Sequence, residues 1–336
     1  MDVLFICKAS VRIGFGHLIR SKALASTFHK NLLRRGRVKL IVIGDKELIS
    51  PLIKSENYEN EIIASERDFV RCVKKWDFIF LDMLTIDDNV FGIIKNNAKH
   101  TATVSPIFNR ISDVDYFFHR TKYHNLSNEL LPAKTFMGLE YTIVQPHCIR
   151  INAGRFEESI NNHSFSFAVS MGGGDASNKT LQFLKSFKKF DLDASIWVML
   201  GEGYKHSFDE LIKVAKTNHR HEIVLAKTNR NMWQILQNCL LGFFPGGITT
   251  YEAVYSGLPS INFIENESNS FLLKELVENN AAYLINTTNE TYWPELNRLI
   301  QQLNSDRLML MEMHLKAKKL IDGKGAERIF ELCQSS

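Results

Sequence analysis

The chain has 336 residues, 45% of them hydrophobic and 23% charged, which is typical of a globular protein and excludes a disordered one. The formal charge of +4 is too small to favour nucleic acid as a partner. No stretch of 18 continuous apolar residues predicts a membrane span, and the first residues lack a secretory signal pattern, so we expect a cytoplasmic protein without stable membrane insertion.

Domain number follows from length, since about 150 residues is a common domain size and two domains are therefore expected. The five cysteines are widely separated and include no CxxC pair, which argues against a zinc site or a disulfide framework. We interpret them as reduced thiols.

The first half alternates short apolar runs with longer helical patterns. We predict strands at 3–7, 39–43, 78–81 and 100–104, a helix at 16–33, and a core strand for the aromatic run at 116–118. The runs are continuously apolar, which indicates strands covered on both faces and hence a parallel sheet with helical crossovers.

The second half repeats this pattern after a polar linker at 141–162. Strands are predicted at 164–170, 194–200, 222–226, 240–244 and 260–263, with helices at 180–187 and 232–238. We therefore expect two parallel α/β domains, 1–148 and 149–336, facing each other across a cleft. A single large doubly wound sheet is the alternative.

The first of three glycine-rich turns follows the first strand, where residues 13–20 read IGFGHLIR. Gly14 and Gly16 permit close approach of the backbone to a ligand, His17 stands at the start of the next helix, and Arg20 lies one turn further on. An imidazole suits proton transfer near neutral pH, so His17 is the candidate catalytic base.

The other two glycine turns follow strands of the second half, at the sheet edge where α/β proteins bind ligands. One contains Gly172, Gly173, Gly174 and Asp175, and its amides together with the helix that follows can meet phosphate oxygens. The other contains Gly246 and Gly247, with hydroxyls of Thr249 and Thr250 offered to phosphate and Glu252 to a ribose diol. Each of these turns, taken alone, would fit a tight turn that binds no ligand. The occurrence of both turns, in this order along the chain, favours a ligand site.

Several other sites are disfavoured by spacing. The first turn lacks G-x-G-x-x-G, no P-loop motif occurs, and the acidic pairs around 114 and 192 are predicted to be turn residues. The histidine pairs His119/His124 and His219/His221 lack a nearby carboxylate and are expected in exposed loops. We therefore predict no metal ion and no cofactor.

The three turns, and the segment 320–328 near the end of the chain, resemble the GT-B superfamily. Within it the chain is most similar to the hydrolases of UDP-2,4-diacetamido-2,4,6-trideoxy-β-L-altropyranose of pseudaminic acid synthesis and to the spore-coat polysaccharide proteins. The resemblance covers nearly the whole chain. It implies two Rossmann-like domains and a UDP-sugar whose diphosphate meets the glycine-turn amides and whose ribose meets Glu252.

The same resemblance implies hydrolysis without metal, in which His17 deprotonates a water that attacks the anomeric carbon with inversion. The sequence departs from the family pattern at three places. Lys8 stands where the family has an acidic residue and Leu84 where it has a tyrosine two positions after Asp82, and these two departures weaken the assignment of the sugar and of water as acceptor. Ser268 with Asn269 stands near the end of the nucleotide site where an Asn-Gln pair is typical, and it can still supply polar contacts.

Two alternatives remain open from the sequence. One is an inverting, metal-independent GT-B glycosyltransferase that uses Asp82 or His17 as base toward a sugar hydroxyl. The other is a binding protein that has kept the nucleotide-sugar site and lost the chemistry, as Lys8 and Leu84 allow. The sequence predicts neither the sugar nor the oligomeric state.

Overall fold

The computed structural model describes residues 1–33, 35–72, 74–161, 164–187, 190, 192–227, 232–266, 270–288 and 292–336, with the backbone alone at 70–72. These residues form two compact units, one made of Met1–Pro146 with Gly323–Ser336 and the other of His147–Asp322. Each unit has its own parallel sheet. The prediction of two parallel-sheet α/β domains is thereby confirmed.

The first unit has a seven-stranded sheet within the part of the chain that is described. Its strands are β1 (Val3–Ala9), β2 (Val38–Gly44), β3 (Glu59–Ile63), β4 (Trp76–Asp82), β5 (Ala98–Thr103), β6 (Tyr116–His119) and β7 (Lys134–Met137). Its helices are α1 (Gly16–Leu32), α2 (Lys46–Ile53), α3 (Asp88–Asn97) and α12 (Gly325–Gln334), with 3-10 helices at Glu66–Cys72, Ile111–Asp113, Asn128–Leu130 and Leu139–Tyr141.

The strand order β3-β2-β1-β4-β5-β6-β7 places β1 at the centre of this sheet. Leu4 and Phe5 point to opposite faces and are both buried, which explains the unbroken apolar run. On one face Phe5 stacks on Phe80 of β4 at 5.0 Å and meets the edge of Phe28 of α1 at 5.4 Å. Because β1 and β4 are parallel neighbours, the residues that follow them meet at one edge.

The last helix corrects the predicted domain range 149–336. Helix α12 belongs to the first unit, where Phe330 packs edge-on against Phe28 of α1 at 5.1 Å. Arg328 Nη1 donates a hydrogen bond to the carbonyl oxygen of Glu140 at 2.9 Å, within the same unit. A short amphipathic helix has the same sequence pattern whichever core it packs against. The sequence alone therefore does not show that the chain returns to the first unit for its last helix.

The second unit has a six-stranded sheet in its described residues, in the order β10-β9-β8-β11-β12-β13. The strands are β8 (Phe165–Val169), β9 (Ala194–Leu200), β10 (Glu222–Lys227), β11 (Leu241–Phe244), β12 (Ser260–Ile264) and β13 (Tyr283–Asn286). The helices are α4 (Ala153–Asn161), α5 (Lys179–Ser186), α6 (Phe208–Thr217), α7 (Met232–Leu236), α8 (Ile248–Ser256), α9 (Phe271–Glu278), α10 (Tyr292–Ser305) and α11 (Leu308–Leu320).

The predicted linker at 141–162 is partly wrong, because it contains α4. Phe156 and Ile160, one turn apart, are the buried residues of this mostly polar helix. The Phe156 ring stacks on His314 of α11 at 4.5 Å, and His314 Nδ1 donates to the carbonyl oxygen of Gly257 at 2.6 Å. These contacts make α4 an integral part of the second unit.

No helix in the described part of the chain has both the length and the apolar character needed to cross a bilayer.

Candidate functional site

The first glycine turn leads from β1 to His17 at the start of α1. Ser10 folds the loop back by accepting hydrogen bonds from Gly14 N (2.8 Å, to its carbonyl oxygen) and Ile13 N (3.1 Å, to its hydroxyl). Gly14 has φ +86°, a left-handed conformation that favours glycine, and the space where a Cβ would stand is open. Gly16 then begins α1, which puts His17 in the first helical turn.

Asp82 ends the neighbouring strand β4 and holds His17. Its Oδ1 lies 2.6 Å from His17 Nδ1, and the Asp82 side chain is only 2% exposed. An ionised carboxylate can only accept hydrogen bonds, so His17 Nδ1 carries the hydrogen. In the neutral imidazole, Nε2 is then the nitrogen that can accept a proton.

Arg20 and Ser105 complete this cluster. Arg20 follows His17 by three residues and therefore shares its helix face. Its Nε donates to Asp82 Oδ2 at 2.8 Å and its Nη2 to Asp82 Oδ1 at 2.5 Å. Ser105, just after β5, accepts from Arg20 Nη2 at 2.5 Å and donates to Asp82 Oδ1 at 2.8 Å.

The charge of Asp82 is well compensated. Burial by itself would raise the pKa of this carboxyl, but the Arg20 guanidinium, followed by His17, outweighs it and holds the pKa well below its usual range. Burial raises the pKa of the adjacent Cys7 thiol, and the negative charge of Asp82 adds to that effect. The ionised carboxylate of Asp82 is therefore next to the Arg20 guanidinium, the His17 imidazole and the protonated Cys7 thiol.

These contacts bear on two roles considered from the sequence. Asp82 was one of two candidate bases, but its oxygens are occupied by His17, Arg20 and Ser105. Arg20 was expected to contact substrate, but it is buried against Asp82. The geometry therefore fits Asp82 as a group that orients His17 and Arg20 as the counter-ion of Asp82.

In the second unit, the turn after β8 is shaped by its glycines. Gly172 has φ +89° with open space at its Cβ position. Gly173 lies so close to Gly201 that a Cβ on Gly201 would come within 2.5 Å of it, and its carbonyl oxygen accepts from Gly203 N at 2.9 Å. The glycines thus allow two loops to touch, while the side of Gly172 stays open.

Asp175, expected to contact phosphate, caps α5 instead. Its two carboxylate oxygens accept hydrogen bonds from Lys179 N (2.7 Å) and Thr180 N (3.0 Å). The first amides of α5 are therefore already satisfied by this chain. A phosphate at this turn would have to use the backbone before Asp175, at Gly172–Gly174.

The turn after β11 differs at its helix. Gly246 has φ +73°, and Gly247 precedes α8 with open space at its Cβ position. No described side chain caps the start of α8. The first amides of α8 thus lack a side-chain cap in the described part of the chain, whereas those of α5 are capped by Asp175. Because β8 and β11 are neighbours in the sheet, both turns begin at the same edge, where the crossover direction changes.

The remaining predicted residues of this unit lie in or near α8. Thr249 is half-buried, whereas Thr250 is fully buried and donates from Oγ1 to Asn262 Oδ1 at 2.6 Å, which makes it a packing residue rather than a phosphate contact. Glu252 is also buried, at 1% exposure. Asn269 lies outside the described residues.

Lys8 and Leu84, where the sequence departs from the pattern that it resembles, have partners or neighbours of their own. Lys8 Nζ pairs with Glu66 Oε1 at 2.5 Å and donates to the Thr85 carbonyl oxygen at 2.6 Å, so its charge is locally balanced. Leu84 is 44% exposed just beyond Asp82, and its carbonyl oxygen accepts from the amide of the equally exposed Phe108. Two exposed apolar side chains thus lie just beyond the Asp82 end of β4.

The expectation of exposed loop histidines is wrong for two of the four. His119 ends β6 and is buried, with Nδ1 2.9 Å from the Thr121 carbonyl oxygen, and His221 is buried with Nε2 3.0 Å from the Phe187 carbonyl oxygen. No group of three or more potential metal-ligating side chains occurs among the described residues.

Ser105 was missed as a site residue. The sequence feature that could have identified Ser105 is its position directly after the predicted strand 100–104, at the same sheet edge as Asp82. Ser21, which donates to Asp82 Oδ2 at 3.4 Å, had only its place one residue after Arg20.

No family model matches the chain. An uncharacterized protein of Methanocaldococcus jannaschii is 23% identical over 326 residues, which cover 93% of this chain and 66% of that protein. The spore coat polysaccharide biosynthesis protein SpsG of Bacillus subtilis is 21% identical over 345 residues, which cover 96% of this chain and 94% of SpsG. The chain thus spans 66% of the length of the first relative and nearly all of the second.

Three solved structures match the fold over both full lengths. MurG of Acinetobacter baumannii has a TM-score of 0.68 at 15% identity. Alr3699/HepE of Anabaena in complex with UDP and glucose has a TM-score of 0.64 at 13% identity. The UDP-GlcNAc 2-epimerase of Neisseria meningitidis bound to UDP-GlcNAc has a TM-score of 0.63 at 12% identity. With the two parallel sheets, these matches show the GT-B fold.

Proposed function

We propose that this chain is a nucleotide-sugar hydrolase. It would cleave the anomeric C–O bond of a UDP-activated modified sugar with inversion, releasing UDP and free sugar for surface-glycan synthesis. The observation that carries the proposal is the 2.6 Å contact between His17 Nδ1 and Asp82 Oδ1, which leaves His17 Nε2 as a proton acceptor. The name of the Bacillus relative and the UDP, glucose and UDP-GlcNAc in the matched structures support it.

His17 is the proposed general base. Its Nε2 takes a proton from water while the water oxygen attacks the anomeric carbon from the side opposite the nucleotide. The bond between that carbon and the UDP oxygen breaks, and its electron pair leaves with UDP. Asp82 stabilises the imidazolium that forms, as an orienting carboxylate does in a catalytic triad. The proton then passes from His17 to solvent.

The second unit supplies the proposed diphosphate site. Phosphate oxygens suit the amides at the start of α8, where Gly246 and Gly247 let the backbone approach and the helix dipole is positive. The open side of Gly172, on the neighbouring turn, can add amides. Developing charge on the leaving diphosphate is then stabilised without a metal ion.

Glu252 is the proposed ribose ligand. It lies one turn into α8, and a buried carboxylate at this depth can accept two hydrogen bonds from a ribose diol. Glu252 is 1% exposed, so this role requires the ribose to reach a buried carboxylate.

The second candidate is an inverting glycosyltransferase of the same fold, in which a sugar hydroxyl replaces water. Exposed Leu84 and Phe108, beside the Asp82 end of β4, favour an acceptor with an apolar portion. The chemistry at His17 would be the same, so the acceptor alone separates the two candidates.

A nucleotide-release assay with UDP-, CMP- and GDP-sugars, each with and without acceptor glycans, tests the proposal. We expect UDP and an inverted free sugar without acceptor, with ¹⁸O from labelled water at the anomeric carbon of the sugar. Release of UDP only when an acceptor is present would establish the transferase. Label in UDP, or no release from any donor, would overturn the proposed hydrolysis.

The catalytic assignment is tested with His17→Ala. We expect turnover to be abolished while UDP affinity stays within a few-fold, since the proposed nucleotide contacts belong to the second unit. The matched control is His219→Ala, which removes an exposed histidine of the second unit and should leave activity unchanged. An active His17→Ala protein would contradict the role.

A further inference from the structure

Ser105 and Arg20 act on the one Asp82 oxygen that faces His17. Oδ1 is reached by His17 Nδ1 at 2.6 Å, Arg20 Nη2 at 2.5 Å and Ser105 Oγ at 2.8 Å. The other oxygen, Oδ2, is reached by Arg20 Nε at 2.8 Å and by Ser21 Oγ at 3.4 Å. Of the two serine contacts, the shorter one, from Ser105, is therefore on the oxygen that contacts His17.

The position of Ser105 is itself determined by β5. Thr103 Oγ1 lies 2.5 Å from the carbonyl oxygen of Ser105 and accepts from Ser105 N at 3.2 Å. Thr103 Oγ1 also lies 2.8 Å from the carbonyl oxygen of Leu81, the residue before Asp82. Thr103 and Ser105 are both buried. This small network joins the ends of β4 and β5, so Ser105 has little freedom to move relative to Asp82.

A carboxylate needs such support, because the last torsion of an aspartate side chain is broad and roughly two-fold. Arg20 contacts both oxygens, and the Ser105 hydroxyl adds a further hydrogen bond, since it donates to Oδ1 while accepting from Arg20 Nη2. This further contact limits rotation of the carboxylate plane about its last torsion. One oxygen is thereby kept directed at His17 Nδ1.

We propose that Ser105, together with Arg20, is a positioning residue that fixes Asp82 so that His17 bears its hydrogen on Nδ1 and presents Nε2 as the base. The inference rests on the proposed function only for its effect on rate. The tautomer of His17 is a property of the first unit and can be measured without turnover.

The first arm of the test measures the tautomer. ¹⁵N-histidine-labelled protein is compared with Ser105→Ala and with Ser21→Ala, the His17 signals being assigned from His17→Ala. We expect the parent and Ser21→Ala to show hydrogen on Nδ1 only, and Ser105→Ala to show a mixture of both tautomers. Ser21 is the matched control because it is an equally buried serine on the other oxygen of the same carboxylate.

The second arm measures steady-state kinetics with a UDP-sugar. In Ser105→Ala we expect kcat to fall by about 10–100-fold with little change in KM, because His17 is then misplaced and a small displacement of a catalytic group has effects of this size. Ser105→Thr, which keeps the hydroxyl, should recover most of the loss, and thermal melting should show that all variants are folded.

The two arms separate failure of this inference from failure of the proposed function. A single Nδ1–H tautomer in folded Ser105→Ala, or equal tautomer mixing in Ser21→Ala, overturns the positioning role whatever the activity. Tautomer mixing in Ser105→Ala alone, in a protein that hydrolyses no nucleotide sugar, supports the positioning role and overturns the hydrolase.

Discussion

The buried Arg20–Asp82 pair makes a quantitative prediction for Arg20→Met. The side chains are 9% and 2% exposed, so the substitution leaves a carboxylate in the interior without its counter-ion. Removing one partner of a buried pair costs about 3–5 kcal/mol of unfolding free energy. For a domain of this size we expect the melting temperature of the first unit to fall by about 6–20 °C.

Arg37→Met is the matched control. Arg37 contacts Asp2 through the same two nitrogens, with Nε at 2.9 Å and Nη2 at 2.7 Å, but both donate to the single oxygen Oδ2, and the two side chains are 49% and 33% exposed. A pair at the surface contributes about 1 kcal/mol or less. The two substitutions thus compare a buried ion pair with an exposed one.

The assay combines thermal melting with amide hydrogen exchange of β1 and β4, which reports on the first unit alone. Adding Asp82→Asn to Arg20→Met should restore most of the stability, because the uncompensated charge is gone. A loss in Arg20→Met no larger than that in Arg37→Met would refute the reasoning. So would a double variant that is less stable than Arg20→Met.

Three further predictions concern single groups. Glu252→Ala should weaken UDP binding by about 1–3 kcal/mol in calorimetry, because the proposed charged hydrogen-bond partner of the ribose is removed. Asp175→Ala should lower the unfolding free energy of the second unit by about 0.5–2 kcal/mol in urea denaturation, since the amides of Lys179 and Thr180 lose their cap. Burial, and then Arg120, lower the pKa of His119 to about 3, so the unfolded chain takes up a proton below about pH 6.5 that the folded one refuses, and stability falls as pH is lowered. His119→Asn should therefore remove about 2 kcal/mol of the stability difference between pH 7.5 and pH 5.

Each of these has its own control. Glu265→Ala, an exposed glutamate of the same unit, should leave UDP affinity unaltered, and equal losses in the two variants would reject the ribose role of Glu252. Asp193→Ala, another exposed acidic residue, should not change the unfolding free energy of the second unit by more than about 0.5 kcal/mol. An unchanged pH dependence in His119→Asn would mean that the pKa of His119 is not lowered in the folded protein relative to the unfolded chain.

Much of the fold was predictable because central parallel strands are apolar on both faces. The strands β1, β4 and β11 are read directly from unbroken apolar runs. Edge strands lack this signal: β3 has the sequence ENEII and is mostly exposed or half-buried, and it was not predicted. The polar helix α4 was missed for the same reason, since two buried side chains give little periodicity.

The candidate site was predictable in position more than in role. His17 and Asp82 were identified from the turn and the strand end that carry them. Their chemistry depends on which side chains meet, and Arg20 and Ser105 stand 62 and 23 residues from Asp82 in the chain. A strand-end aspartate has the same sequence pattern whether it faces solvent or a guanidinium. Only the side-chain contacts within the folded first unit show which of the two residues fits the role of base and which one orients it.

The return of α12 has a practical consequence for dissecting the protein. Residues 147–322 are one uninterrupted stretch, whereas the unit that carries His17 is assembled from two stretches distant in the sequence. A fragment that ends at Pro146 would lack Phe330, so the side of the Phe28 ring that packs against it would be exposed to water. The second unit can therefore be excised as a single piece, while the unit that carries His17 must be made by joining its two stretches so that it keeps its last helix.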